Sequence, residues 1–234
     1  MFGWFKKKVK ESESHKGSNE EYKFVWYNIG GDNPFNKRIL DIRSLTQTMM
    51  SFTKDKSVAE LFNKQRLSIG NELIGMDIPD SKMIECSLTF AHNGAKIEGT
   101  CFKAKCMEDK WDVYGWKNII YLTRSWTGEI VYKAFINVTD SNFTVYKIEY
   151  CPDTNTREDE SLAINNVHFL IMTLAFGAIY PHKVPRTINI EMDIALYSFA
   201  QFGRNCWYAS YDDILDTTLI KKIEDKANNE NYTQ

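Results

Sequence analysis

Residues 111–151 read WDVYGWKNIIYLTRSWTGEIVYKAFINVTDSNFTVYKIEYC, and the punctuation of this stretch decides the fold. Four runs rich in β-branched and aromatic residues, Trp111 to Trp116, Asn118 to Trp126, Glu129 to Asn137 and Phe143 to Cys151, are separated by connections short enough only for hairpins. Thr127-Gly128 and residues 139–142 close two of them. Upstream, Met83 to Ala91 and Lys96 to Lys105 have the same character, with Asn93-Gly94 between them as a type I′ hairpin pair. Consecutive short connections predict an antiparallel meander.

Beyond Pro152 the pattern changes. Asp159 and Glu160 precede a run from Leu162 to Tyr180 that is apolar on almost every side, which predicts a central helix with acidic residues at its positive end. Pro181 and Pro185 stop it. Ile190 to Phe202 repeats apolar positions at helical spacing and ends at Gly203, a natural C-terminal cap. Ser210 and Asp213 suggest a capping box for a last helix through Ile223. Before the meander, KFVWYN at residues 23–28 reads as a strand leading into the turn chemistry of Gly30 to Pro34. Ser57 and Glu60 form an S-x-x-E pattern ahead of a short helix containing Leu61 and Phe62. Sheet first and helices afterwards predict an α+β fold, an antiparallel β-meander with C-terminal helices packed on one face.

The chain has 234 residues, 43% of them apolar and 14% aromatic, with 29 basic against 31 acidic side chains. This composition predicts a single α+β domain over residues 22–227, a flexible basic and polar segment at 1–21 and a polar tail at 228–234. The near balance of charge removes the strongest signal for nucleic-acid binding. Met1 to Val9 reads MFGWFKKKV, with too few apolar residues for a signal peptide. Trp4, Phe5 and the neighbouring lysines would give at most weak contact with an anionic membrane surface. Val167 to Tyr180 is too short to cross a bilayer. Five cysteines, without a two-residue spacing, read as reduced thiols of a cytoplasmic protein. No histidine has a His or Cys neighbour at ligand spacing, so neither a metal nor a cofactor is expected.

Candidate chemistry concentrates at the hairpin. With Thr127-Gly128 as a two-residue loop, Trp126 faces Glu129 and Arg124 faces Val131, which puts Arg124, Trp126 and Glu129 on one face. Ile119, Tyr121, Ile130, Ala134 and Ile136 then fall on the other, the expected core. A guanidinium beside an indole suits a carboxylate, a phosphate or a stacked base. Just upstream, Glu108, Asp109, Lys110, Trp111, Asp112 and Tyr114 offer carboxylates near a lysine; Lys110 and Asp112 complete the expected ligand-binding set. Arg38, Asp41 and Arg43 read as a surface ion-pair group. His168 is expected as a hydrogen-bonded core residue, and His182 as a cation at a helix end.

RSWTGEIVY at Arg124 to Tyr132, with NPFNKRILDIRSLTQTM from Asn33, KWDVY from Lys110 and a late helix ending in PHKVP, resembles an uncharacterised family of bacterial proteins. The resemblance covers most of the chain from about Trp26 and implies no activity, substrate or cofactor. The residues therefore carry the functional expectation: a cytoplasmic binding or interaction protein, accessory or defence-associated, whose Arg124/Trp126 surface contacts a protein partner or a small anionic ligand. The alternative is an enzyme acting on a nucleotide-like or other anionic substrate, with Arg124 as oxyanion clamp, Trp126 as stacking plate and Asp109 or Asp112 as base. A third reading is a homo-oligomer subunit using exposed aromatics of the sheet.

Overall fold

Residues 82–150 alternate in a way that lets each strand cover two different surfaces, and they pair as one six-stranded antiparallel sheet. The computed structural model describes residues 22–152 and 159–216. The strands are β3 (Lys82–Ala91), β4 (Gly99–Phe102), β5 (Trp111–Trp116), β6 (Ile119–Arg124), β7 (Ile130–Val138) and β8 (Asn142–Tyr150). Their spatial order is β3-β8-β7-β6-β5-β4, so β4 to β8 form the expected meander. Asn93-Gly94 does not close a hairpin, because β3 pairs with β8 at the opposite edge from β4. Residues 92–98 instead cross the end of the sheet. His92 N–H donates to Ser141 O at 3.0 Å, and Gly94 lies against Asp140. Local turn chemistry yields here to long-range pairing, which sends Ile84, Leu88 and Phe90 of β3 into the core beside Ile148, Val145 and Phe143.

A second, four-stranded sheet is assembled from three-residue pieces: β1 (Val25–Tyr27), β2 (Ile39–Asp41), β9 (Pro181–Lys183) and β10 (Tyr208–Ser210), in the order β1-β2-β10-β9. Of these only the first was legible, and Pro181–Lys183 is a strand rather than the end of a helix. The four α-helices among the described residues are α1 (Arg43–Thr46), α2 (Lys56–Gln65), α3 (Asp159–Leu170) and α4 (Glu191–Phe202). Asp55 rather than Ser57 caps α2, accepting from Ser57 N–H at 3.0 Å and from its hydroxyl at 2.7 Å. The apolar run expected to be helical through Tyr180 ends sooner, as α3 passes into a π-helical turn over Ile171–Ala175. No helix begins at Ser210: that residue lies in β10, and Asp213 receives Lys183 Nζ at 2.6 Å. The remainder of that expected helix, and the segments 1–21 and 228–234, lie outside the described residues.

Helices α3 and α4 cover one face of the large sheet. Val113, Ile120, Leu122, Ala134 and Ile148 meet Val167, Leu170, Ile194 and Phe199 in a core shared with the small sheet through Ile39, Leu40 and Ala209. The opposite face is covered as well, by Leu73 and Ile78 over Tyr114, Tyr121 and Ile130. Beside that cluster Lys133 pairs with Glu149 at 3.2 Å, and Ser81 donates to Glu149 at 2.9 Å.

Two histidines are buried neutral. His182 sits in β9 and not at a helix end; its ring nitrogens lie 2.9 Å from Lys183 O and 2.8 Å from Ser198 Oγ. His168 lies between the rings of Phe90 and Tyr180, and neither ring nitrogen has a partner among the described residues, contrary to the expected hydrogen bond. Burial pushes both from the usual 6.5 down to about 4. Between those values only the unfolded chain takes up the proton, so their contribution is fully present above pH 6.5 and is lost as pH falls toward 4. Each histidine should therefore cost about 2 kcal/mol of stability between pH 7.5 and 5. Urea titrations at the two pH values measure it, and His168→Phe should remove about half of the loss; an unchanged loss would refute the assignment.

Candidate functional site

The hairpin that carries RSWTGE pairs one residue away from the two-residue-loop register. Ile119 to Leu122 face Phe135 to Tyr132, but Thr123 faces Ile130, so Val131 is the extra residue of a bulge. Arg124 N–H donates to Glu129 O at 2.9 Å, and the N–H groups of Thr127 and Gly128 return to Arg124 O at 3.3 and 2.7 Å. The loop is therefore residues 125–128. Gly128 has φ +72° and packs on Gln65 of α2 so closely that a Cβ would lie 2.4 Å from Gln65 Nε2. The slip corrects the expected faces. Arg124 joins Ile120, Leu122, Ala134 and Ile136 on the helix-covered side, while Tyr121 and Ile130 belong to the other. Trp126 lies in the loop and Glu129 is exposed.

On the helix side two cations approach the end of α4. The Arg124 guanidinium lies 4.2 Å over the Trp111 ring and donates to Gln201 O at 2.7 Å and Gln201 Oε1 at 2.6 Å. Trp111 Nε1 donates to the same carbonyl at 2.6 Å. Lys110 Nζ donates to Ser51 Oγ at 2.6 Å and Met107 O at 3.0 Å, and lies 4.4 Å from the Trp126 ring and 5.1 Å from that of Phe199. Trp126 Nε1 donates to Met107 O at 2.9 Å, which fixes the indole against the lysine. Burial lowers the Lys110 pKa to about 8; Glu108 pulls the other way, and repulsion from Arg124 adds to the fall. Burial also lowers that of Arg124, which stays charged as guanidinium does. Glu108 accepts the Ser51 N–H at 2.7 Å instead of pairing with Lys110. Among the described residues no carboxylate forms an ion pair with Lys110 or Arg124.

The carboxylates expected to work with Arg124 are committed elsewhere. Asp109 is 1% exposed and receives Lys105 N–H at 2.9 Å, Arg204 Nε at 2.9 Å and Asn205 Nδ2 at 3.0 Å. Burial opposes its ionisation, but these donors hold its pKa below the usual value. Asp112, also 1% exposed, shares the far face with Tyr114 and accepts from Lys103 Nζ at 2.9 Å, Ala104 N–H at 2.8 Å and Tyr114 OH at 3.3 Å. Thus Lys110, Arg124 and Trp126 are brought together; Asp112 is on the far face and Glu129 stands apart in solvent. Ser51, Phe199 and Gln201 complete the site without any local sequence signal. In the third group Arg43 holds Asp41 through Nε at 3.0 Å and Nη2 at 2.5 Å, while Arg38 lies 4.3 Å over Trp26.

Among the described residues no three His, Cys, Asp or Glu side chains gather as a metal group, and no helix is long and apolar enough to cross a membrane. Comparison with protein-family models, curated proteins and solved structures finds no match to this chain. The bonds around Asp109 make it an architectural acid. Asp109→Ala should lose about 2–4 kcal/mol of unfolding free energy in a urea titration, because several donors lose a buried acceptor at once. Glu129→Gln should stay within about 0.5 kcal/mol of the native chain; equal, small effects of both changes would contradict this division.

Proposed function

We propose that this is a cytoplasmic binding protein whose Lys110–Arg124–Trp126 surface takes an anionic group, a carboxylate or a phosphate, borne by a partner or small ligand. One observation carries the reading: two partly buried cations stand near each other without an ion-pair partner among the described residues. Of the five N–H bonds of a guanidinium two are engaged at Arg124, and of the three of an ammonium two are engaged at Lys110. Unused donors and mutual repulsion are both relieved by one anion, whose charge-assisted hydrogen bonds are strong where water is partly excluded. Trp126 adds a flat, partly exposed wall beside the lysine.

The enzyme reading with Asp109 or Asp112 as base receives less support, since the first is saturated by donors and the second faces away. An anion that binds only the native state raises the melting temperature by mass action. At about 100 times its dissociation constant, inorganic phosphate or succinate should add about 2.7 kcal/mol, a rise of about 5–10 °C for a chain of this size. Lys110→Met should abolish most of that rise. An equal rise in sodium chloride of matched ionic strength would overturn the proposal.

A further inference from the structure

Lys110 differs in one respect from three other buried or half-buried lysines. Lys103, Lys133 and Lys183 each touch a carboxylate, Asp112 at 2.9 Å, Glu149 at 3.2 Å and Asp213 at 2.6 Å. Lys110 touches a hydroxyl, a carbonyl and two aromatic rings. A desolvated ammonium beside a second cation is the arrangement that releases its proton and leaves a nucleophilic amine. The groups that act on it are drawn from every side: Glu108, Cys106 and Asp109 favour the charged form, whereas burial and Arg124 disfavour it. Ser51, from the segment after α1, and Met107, from the segment before β5, hold the nitrogen between Trp126 of the hairpin and Phe199 of α4.

We propose that Lys110 Nζ is a nucleophile that condenses with the carbonyl carbon of an aldehyde or keto compound whose anionic group sits on Arg124. This rests on the anion-binding reading and deepens it by naming the ligand class. The neutral nitrogen adds to the carbonyl carbon, a C–N bond forms, and the carbonyl oxygen leaves as water with two protons, one from the nitrogen and one from solvent. The product is a protonated C=N linkage, an iminium that keeps the second nitrogen proton and carries the charge brought by the solvent proton, and no electrons are gained or lost. Ser51 Oγ, 2.6 Å from Nζ, is placed to carry the proton between nitrogen and oxygen. Trp126 supplies a face against which a planar carbonyl lies. With a pKa near 8, about a quarter of Lys110 is neutral at pH 7.5, roughly two hundred times the fraction of a solvated lysine.

The test uses the full chain at pH 7.5 with sodium cyanoborohydride and two probes, 4-carboxybenzaldehyde and uncharged benzaldehyde, with adducts mapped by peptide mass spectrometry. Lys110 should be alkylated at least about tenfold faster than any other lysine, with a rate that rises through a midpoint near pH 8. The carboxylated probe should outrun benzaldehyde about tenfold, the effect of one charge-assisted contact. Inorganic phosphate should remove that preference, a control that needs no variant; Arg124→Lys, which keeps a cation, should reduce it only partly. If phosphate raises the melting temperature but Lys110 reacts no faster than its fellows, the imine proposal fails and the anion site stands. If Lys110 reacts fastest but both probes are equal and phosphate neither protects nor stabilises, the anionic ligand class fails with the reading beneath it. No bias and no phosphate effect sink both.

Discussion

The C-terminal end of α4 is sewn to the segment that enters β5, and this junction fixes where every candidate side chain can be. A helix ends in carbonyls without intrahelical partners. Here Gln201 O receives both Trp111 Nε1 and Arg124 Nη1, one donor from each of two neighbouring strands. Two residues on, Gly203 turns the chain with φ +72° and ψ −152°, a region open almost only to glycine. A Cβ there would lie 1.8 Å from Glu108 O. The approach lets Arg204 N–H donate to Glu108 O at 3.2 Å and brings Arg204 and Asn205 onto Asp109. With Asp109 held, Lys110 has to emerge beside α4, and Trp111 has to lie beneath it.

That junction also accounts for a cation without a carboxylate. The end of a helix carries roughly half a negative charge, and Arg124 lies against it. Its guanidinium is stabilised by that end, by the amide of Gln201 and by the face of Trp111. Lys110 has no such end to meet, only a hydroxyl, a carbonyl and ring faces. The excess positive potential of the site is therefore concentrated at the ammonium, the group whose proton is the easier to remove.

Much of this architecture is written locally. The meander strands are legible to within one or two residues in β5 to β8, since β-branched and aromatic residues fill both of their covered faces. The tip of the β6–β7 hairpin is not: a loop of four residues followed by a bulge at Val131 has the same turn residues as a loop of two. One residue of slip moves Ala134 and Ile136 to the side of Arg124 and turns a surface arginine into one that props a helix. Asn93-Gly94 misleads for the complementary reason, because a good local turn cannot reveal that β3 has a better partner in β8. Of the small sheet only β1 is legible, as three residues are too few to show a period in the other strands.

The site divides along the same line. Arg124, Trp126 and Lys110 stand out because charged and indole groups crowd one short stretch, and the structure keeps them together. Gln201 lies 77 residues from Arg124 and Ser51 lies 59 from Lys110, separations at which neither periodicity nor spacing speaks. Ser51 is the informative omission. Its N–H and hydroxyl are tied to Glu108 and Lys110, so the backbone is held while its neighbours Met50 and Phe52 remain 80% and 77% exposed. A buried methionine at position 110 would pack between Trp126 and Phe199 at no desolvation cost. It would leave Ser51 without its acceptor role and the loop without one of its two anchors. The ammonium is thus a tie for the loop as well as the least compensated charge of the site, so whatever neutralises it acts on the segment carrying those two exposed apolar side chains.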